Sequence, residues 1–74
     1  MNDQLFRTLL KRYESDIEDA QYKIKCICEH NMVIPEHVDI TGEVDKLLHK
    51  IGGAEEKLSV MRKYYDKTEA ETLL

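Results

Sequence analysis

Two apolar stripes of equal length run through this chain on one seven-residue rhythm, one stripe in each half. The first is Phe6, Leu10, Tyr13, Ile17, Ala20, Ile24, Ile27, and the second is Val44, Leu47, Ile51, Ala54, Leu58, Met61, Tyr65. Steps that alternate between three and four residues keep a side chain on one face of an α-helix, and sustained alternation makes a coiled-coil seam. The single proline, Pro35, lies between the stripes, where the rhythm breaks. The pattern predicts an all-α fold: an antiparallel helical hairpin of two long coiled-coil-like helices, zipped along one seam.

Seventy-four residues make a single domain, 1–74, with helices near 3–30 and 41–68, a loop at 31–40 and a frayed tail at 69–74. Asn2 or Asp3 is placed to cap the first helix, and Asn31 to end it. Thr41 is the expected N-cap of the second, with Glu43 and Asp45 in the first turn, where the helix dipole favours acid. The connection carries Met32, Val33, Ile34, Val38 and Ile40, too apolar for a solvated loop, and is expected to fold back and plug the closed end. Pro35 pushes Ile34 into an extended conformation.

Gly52-Gly53 falls inside the second helix, where two glycines cost about 2 kcal/mol relative to alanine. Either the helix breaks there, or it continues, kinked or not, past a smooth spot that admits a neighbouring backbone. The apolar phase is unchanged from Leu47 and Ile51 through Ala54 and Leu58, which favours continuity.

Antiparallel pairing sets the register. Leu10 opposite Met61, Ile17 opposite Ala54, Ala20 opposite Ile51 and Ile24 opposite Leu47 place small residues against large ones, which fills a seam evenly. A rival register, shifted by three to four residues, stacks Ala20 on Ala54 and needs a close approach or a void. On the flanks, Asp16 with Lys57 and His30 with Glu43 are compatible pairs, whereas Arg7 with Arg62 and Glu14 with Glu55 are like-charged. Exposed pairs of this kind contribute about 0.2–1 kcal/mol each, too little to overturn the register. The like-charged flank hints at completion by another chain.

Two helices share one interface, and a core this small usually requires staples, metal or oligomerisation. Apolar residues also lie off the seam: Leu5 and Leu9 beside Val60 and Tyr64 at the open end, Cys28 and Leu48 near the closed end. They either widen the intramolecular core or form an interface, and their clustering across both helices favours self-association through Leu5, Leu9, Val60 and Tyr64. The simplest product is a homodimer of hairpins, a helical bundle.

A net charge of −4 with interspersed signs argues against a duplex-DNA binder, whose affinity comes from neutralising phosphates. The longest apolar runs are three residues, far short of a membrane span, and Met-Asn-Asp-Gln has no signal-peptide character. The expected setting is the cytoplasm, of a cell or of an infected host, with no membrane partner. Cys26 and Cys28 diverge by roughly 200° on a helix, cannot bridge each other, and read as free thiols.

The closed-end half holds Cys26, Cys28, His30, His37 and His49, the residue types that bind soft metals. There is neither Cys-x-x-Cys nor His-x-x-x-His, and Cys26 and His49 fall on outer positions that do not converge, so neither metal nor another cofactor is expected. At the open end, Arg7, Lys11, Arg12, Arg62, Lys63 and Tyr65 form a basic-aromatic belt suited to a nucleic-acid strand or nucleotide, diluted by Asp3, Glu14, Asp16, Asp66, Glu69 and Glu71. No constellation fits a catalytic site: Gly52-Gly53 lacks the strand and lysine of a phosphate loop, and Ser15 has no histidine in register. A lone hairpin is also expected to enclose no pocket of the ~300 Å³ that small-molecule sites need.

A long coiled-coil helix followed by Ile40-Thr41-Gly42-Glu43 at the head of an acidic second helix loosely resembles the tail-fibre assembly chaperones of T-even phages. The likeness covers about a third of the chain and points toward phage-type accessory proteins, with no site carried over. The expected function is therefore a non-enzymatic protein-interaction module, a small adaptor, assembly factor or inhibitor, whose partner is itself or a larger protein. Nucleic-acid or nucleotide binding through the belt is the alternative.

Overall fold

The computed structural model describes residues 1–30 and 39–66, and within them the chain is two helices lying against one another. Helix α1 spans Asp3–His30 and α2 spans Ile40–Tyr65. The all-α hairpin predicted from the stripes is the observed architecture. The predicted plug residues Met32, Val33, Ile34 and Val38, and the predicted end of the second helix at Thr68 with its tail, lie outside the described residues.

The helix starts are built differently. Asn2 caps α1 with its side chain: the Leu5 amide donates to Asn2 Oδ1 at 2.8 Å, and the Phe6 amide to the Asn2 carbonyl at 3.0 Å. The N-cap of α2 falls two residues before the predicted Thr41, at Asp39, which is in extended conformation. The Asp39 carbonyl accepts from the Glu43 amide at 2.9 Å, but its side chain makes no capping bond. That side chain lies instead over Gly42, where a Cβ would come within 2.5 Å of Asp39 Oδ2. Glycine there leaves room for the carboxylate over the first turn. Ile40, assigned by sequence to the closed-end plug, is 50% exposed in that turn.

Helix α2 runs unbroken through Gly52-Gly53, as the uninterrupted phase required. A Cβ built at either glycine meets nothing within 4 Å, so α1 does not use the bare backbone for close approach.

The core is the seam. Ala20 is fully buried, and Ala54, Leu58 and Met61 are buried with it. Leu10, Tyr13, Ile17, Ile24, Ile27, Val44, Leu47 and Ile51 are half-buried, the limit for residues with one helix to lean on. Tyr65 departs from its seam assignment and is 46% exposed, because it is the last residue of α2 and Asp66 turns away in extended conformation.

Two contacts across the helices report the register. Lys57 Nζ lies 5.3 Å from the centre of the Tyr13 ring, and the seam sets Leu58, the next residue, opposite Tyr13. Lys50 Nζ lies 4.0 Å from Asp19 Oδ2, beside the Ala20–Ile51 layer. A shift of three to four residues would move both lysines about a turn away from these partners. The pairing that sets small residues against large is the one adopted.

Candidate functional site

Written as heptads, the seam residues take positions a and d, and the flanks divide into two sides. Positions e and b carry Arg7, Lys11, Glu14 and Glu18 of α1 with Leu48, Glu55 and Arg62 of α2. Positions g and c carry Leu5, Leu9, Asp16, Asp19 and Lys23 of α1 with Glu43, Lys50, Gly53, Lys57, Val60 and Tyr64 of α2.

Three grooves between the helices open on the g and c side. At the open end, Leu9, Tyr13, Val60 and Met61 line a groove of about 410 Å³, together with Met1 and Lys57. In the middle, Asp16, Lys50, Gly53 and Lys57 line one of about 330 Å³. Toward the closed end, Tyr22, Cys26, Ile27 and Leu47 line one of about 520 Å³, between Lys23 and Glu43. These volumes exceed the expectation for a lone hairpin, but the grooves lie open along the surface. Gly53 borders the first two, and its missing side chain joins them.

Of the sequence-predicted interface residues, Leu9 and Val60 come together in the open-end groove. Leu5, Val60 and Tyr64 are exposed and Leu9 is half-buried. By heptad position all four stand on the groove side. Cys28 and Leu48, the other off-seam pair, are exposed on the opposite flank.

The charges on this side are arranged, not scattered. Asp19 accepts from Lys23 at 3.0 Å within α1 and meets Lys50 across the seam at 4.0 Å. The hydrogen bond from Lys23 is the largest influence on the Asp19 carboxyl and, against desolvation and with smaller help from the charges of Lys23 and Lys50, holds it below its ordinary value of 3.8. Asp16 lies half-buried in the same groove as Lys50 and Lys57 and makes no ion pair among the described residues. The predicted Asp16–Lys57 pair is replaced by the contact of Lys57 with Tyr13. Contact with the Cys26 thiol raises the Tyr22 phenol above its ordinary value of 10.

Arg7, Lys11, Arg12, Arg62, Lys63 and Tyr65 are all exposed, but their heptad positions spread them around the hairpin. Lys63 turns toward the neighbouring Tyr64 ring at 5.2 Å. Cys26 and Cys28 are free thiols, one half-buried and one exposed. His37 lies outside the described residues. Among those residues no helix is long and apolar enough to cross a membrane. What the sequence reading missed was Gly53 as part of this face; its c position, one turn from Lys57 and two from Val60, was the available signal.

Comparison with known proteins finds no matching family model, no similar curated protein and no similar solved structure, so the resemblance to tail-fibre chaperones stands on the sequence pattern alone.

Proposed function

We propose that this chain is a non-enzymatic interaction module that docks one face of its hairpin against protein, in the manner of a small adaptor, assembly factor or inhibitor. The observation that carries the reading is the open-end groove, where Leu9, Tyr13, Val60 and Met61 present apolar surface between the helices, with Leu5 and Tyr64 exposed at the same end. Aromatic and aliphatic anchors beside a groove are the material of protein interfaces, whereas nucleic-acid strands are held by a continuous basic track with stacking rings. Here the basic side chains are dispersed around the hairpin and acids lie between them. A phage-type assembly factor is one form of this reading, resting on the sequence resemblance.

The test compares protein and nucleic-acid binding directly. A pull-down from lysate is expected to retain a discrete protein that is lost with Leu9→Asp and Tyr64→Asp. Labelled single-stranded oligonucleotide is expected to bind little at either of two salt concentrations. Low-micromolar oligonucleotide binding that falls steeply with salt, with no protein retained, would select the belt instead.

A further inference from the structure

We infer that the partner on the groove face is a second copy of this chain, the two hairpins related by a two-fold axis parallel to their helices. The inference rests on the reading of that face as protein-binding and names the protein that binds it.

A two-fold axis in this direction leaves every residue at its own level along the bundle and lays α1 of one copy antiparallel to α2 of the other. The levels are those of the register already fixed by Lys57 on Tyr13 and Lys50 beside Asp19. From the open end, α1 presents Leu5 and Leu9, then Arg12, then Asp16 and Asp19, then Lys23; in the same order α2 presents Tyr64 and Val60, then Lys57, Gly53 and Lys50, then Lys46 and Glu43. Apolar meets apolar, and Asp16 and Asp19 meet Lys57 and Lys50, while Arg12 falls near Lys57 and Lys23 near Lys46, whose charge Glu43 holds at 3.4 Å. The apolar contacts and the Asp16–Lys57 contact between copies form in this one sense of rotation. A two-fold axis perpendicular to the helices would invert the levels, lay α1 on α1, and bring Asp16 toward Asp19 and Arg12 toward Lys23, like charge on like.

Two features left without use inside one hairpin acquire one in this arrangement. Asp16 is half-buried without an ion pair among the described residues, and gains Lys57 of the second copy. Gly53 sits in mid-helix with nothing within 4 Å of a Cβ, and offers bare backbone to the second copy's α1 at the level of Asp16. A hairpin whose buried described residues are Ala20, Ala54, Leu58 and Met61 has little core of its own, the condition under which small folds oligomerise.

Sedimentation of the full chain with Asp16→Lys and Lys57→Asp variants tests the inference, with helix content monitored by circular dichroism. The wild-type chain is expected to be a dimer at high micromolar concentration, and each variant alone to dimerise about tenfold more weakly. Mixing the two variants is expected to restore dimerisation, because in the mixed dimer both cross-chain contacts between these two positions pair opposite charges. A wild-type monomer would overturn the inference while leaving the pull-down to decide whether the face binds another protein. A dimer indifferent to both variants, or no recovery on mixing, would also overturn it. A readout that needs no charge variant is oxidation of a mixture of Leu9→Cys and Val60→Cys chains, both carrying Cys26→Ser and Cys28→Ser. The inference expects cross-linking between unlike chains in excess of like chains, and an even distribution would contradict it.

Discussion

Lys50 of α2 reaches across the seam to Asp19 of α1, Nζ to Oδ2 at 4.0 Å, while Lys23 holds the same carboxylate at 3.0 Å from within α1. One carboxylate thus joins the helices on the groove side. Its pKa is held below 3.8, chiefly by Lys23. A depressed carboxylate contributes stability that is present above its unfolded pKa and lost as pH falls through the folded one. The contribution of Asp19 is therefore lost below pH 3.8. A carboxyl-carbon NMR titration should place the Asp19 midpoint below that value, with Lys23→Ala raising it more than Lys50→Ala. A larger effect of Lys50→Ala would mean that the cross-helix contact dominates.

The two glycines should separate when replaced one at a time. Neither has an atom within 4 Å of a Cβ, so alanine at each gains helix propensity without a clash, about 1 kcal/mol. Gly52 is at an exposed b position, and Gly52→Ala should raise the melting temperature at every protein concentration. Gly53 is on the groove face, and Gly53→Ala should stabilise the dilute chain yet weaken its concentration-dependent gain in stability. Identical behaviour of the two variants would remove Gly53 from the interface.

The helix starts should differ in their response to alanine. Asn2→Ala removes the hydrogen bond from the Leu5 amide and should cost about 1 kcal/mol in denaturant unfolding. Asp39→Ala removes no side-chain cap and should cost less, about 0.5 kcal/mol through the lost interaction with the helix dipole.

Within the seam, Leu58→Ala should cost about 2–4 kcal/mol by leaving a cavity in the best-buried part of α2. Ala20→Leu should cost about 1–3 kcal/mol by overpacking, since Ala20 has no exposed surface. Thermal unfolding of both variants checks the register as well, because a seam in another register would leave one of these positions tolerant.

The long elements were legible because their signal is repeated. Seven seam positions in each half outvote two glycines, so the continuity of α2 and the pairing of small with large residues followed from the stripes. The ends were less legible, because one residue decides them. Asp39 precedes α2 where Thr41 looked the better cap, and Tyr65 closes α2 half-exposed although its spacing belongs to the seam. The proposed interface residues Leu5, Leu9, Val60 and Tyr64 were readable as apolar positions off the seam. Gly53 was signalled only by its c position, and the open space around it is visible only in three dimensions.

We propose that the side carrying Leu9, Gly53, Val60 and Tyr64 is a protein-binding face that this chain applies to itself. Amide NMR spectra recorded through a dilution series test it residue by residue. Leu9, Gly53, Val60 and Tyr64 are expected to shift together along a single binding curve while Lys11, Glu18 and Ser59 on the opposite side stay fixed. Spectra unchanged on dilution, or shifts centred on Arg7, Glu14, Glu55 and Arg62, would contradict it.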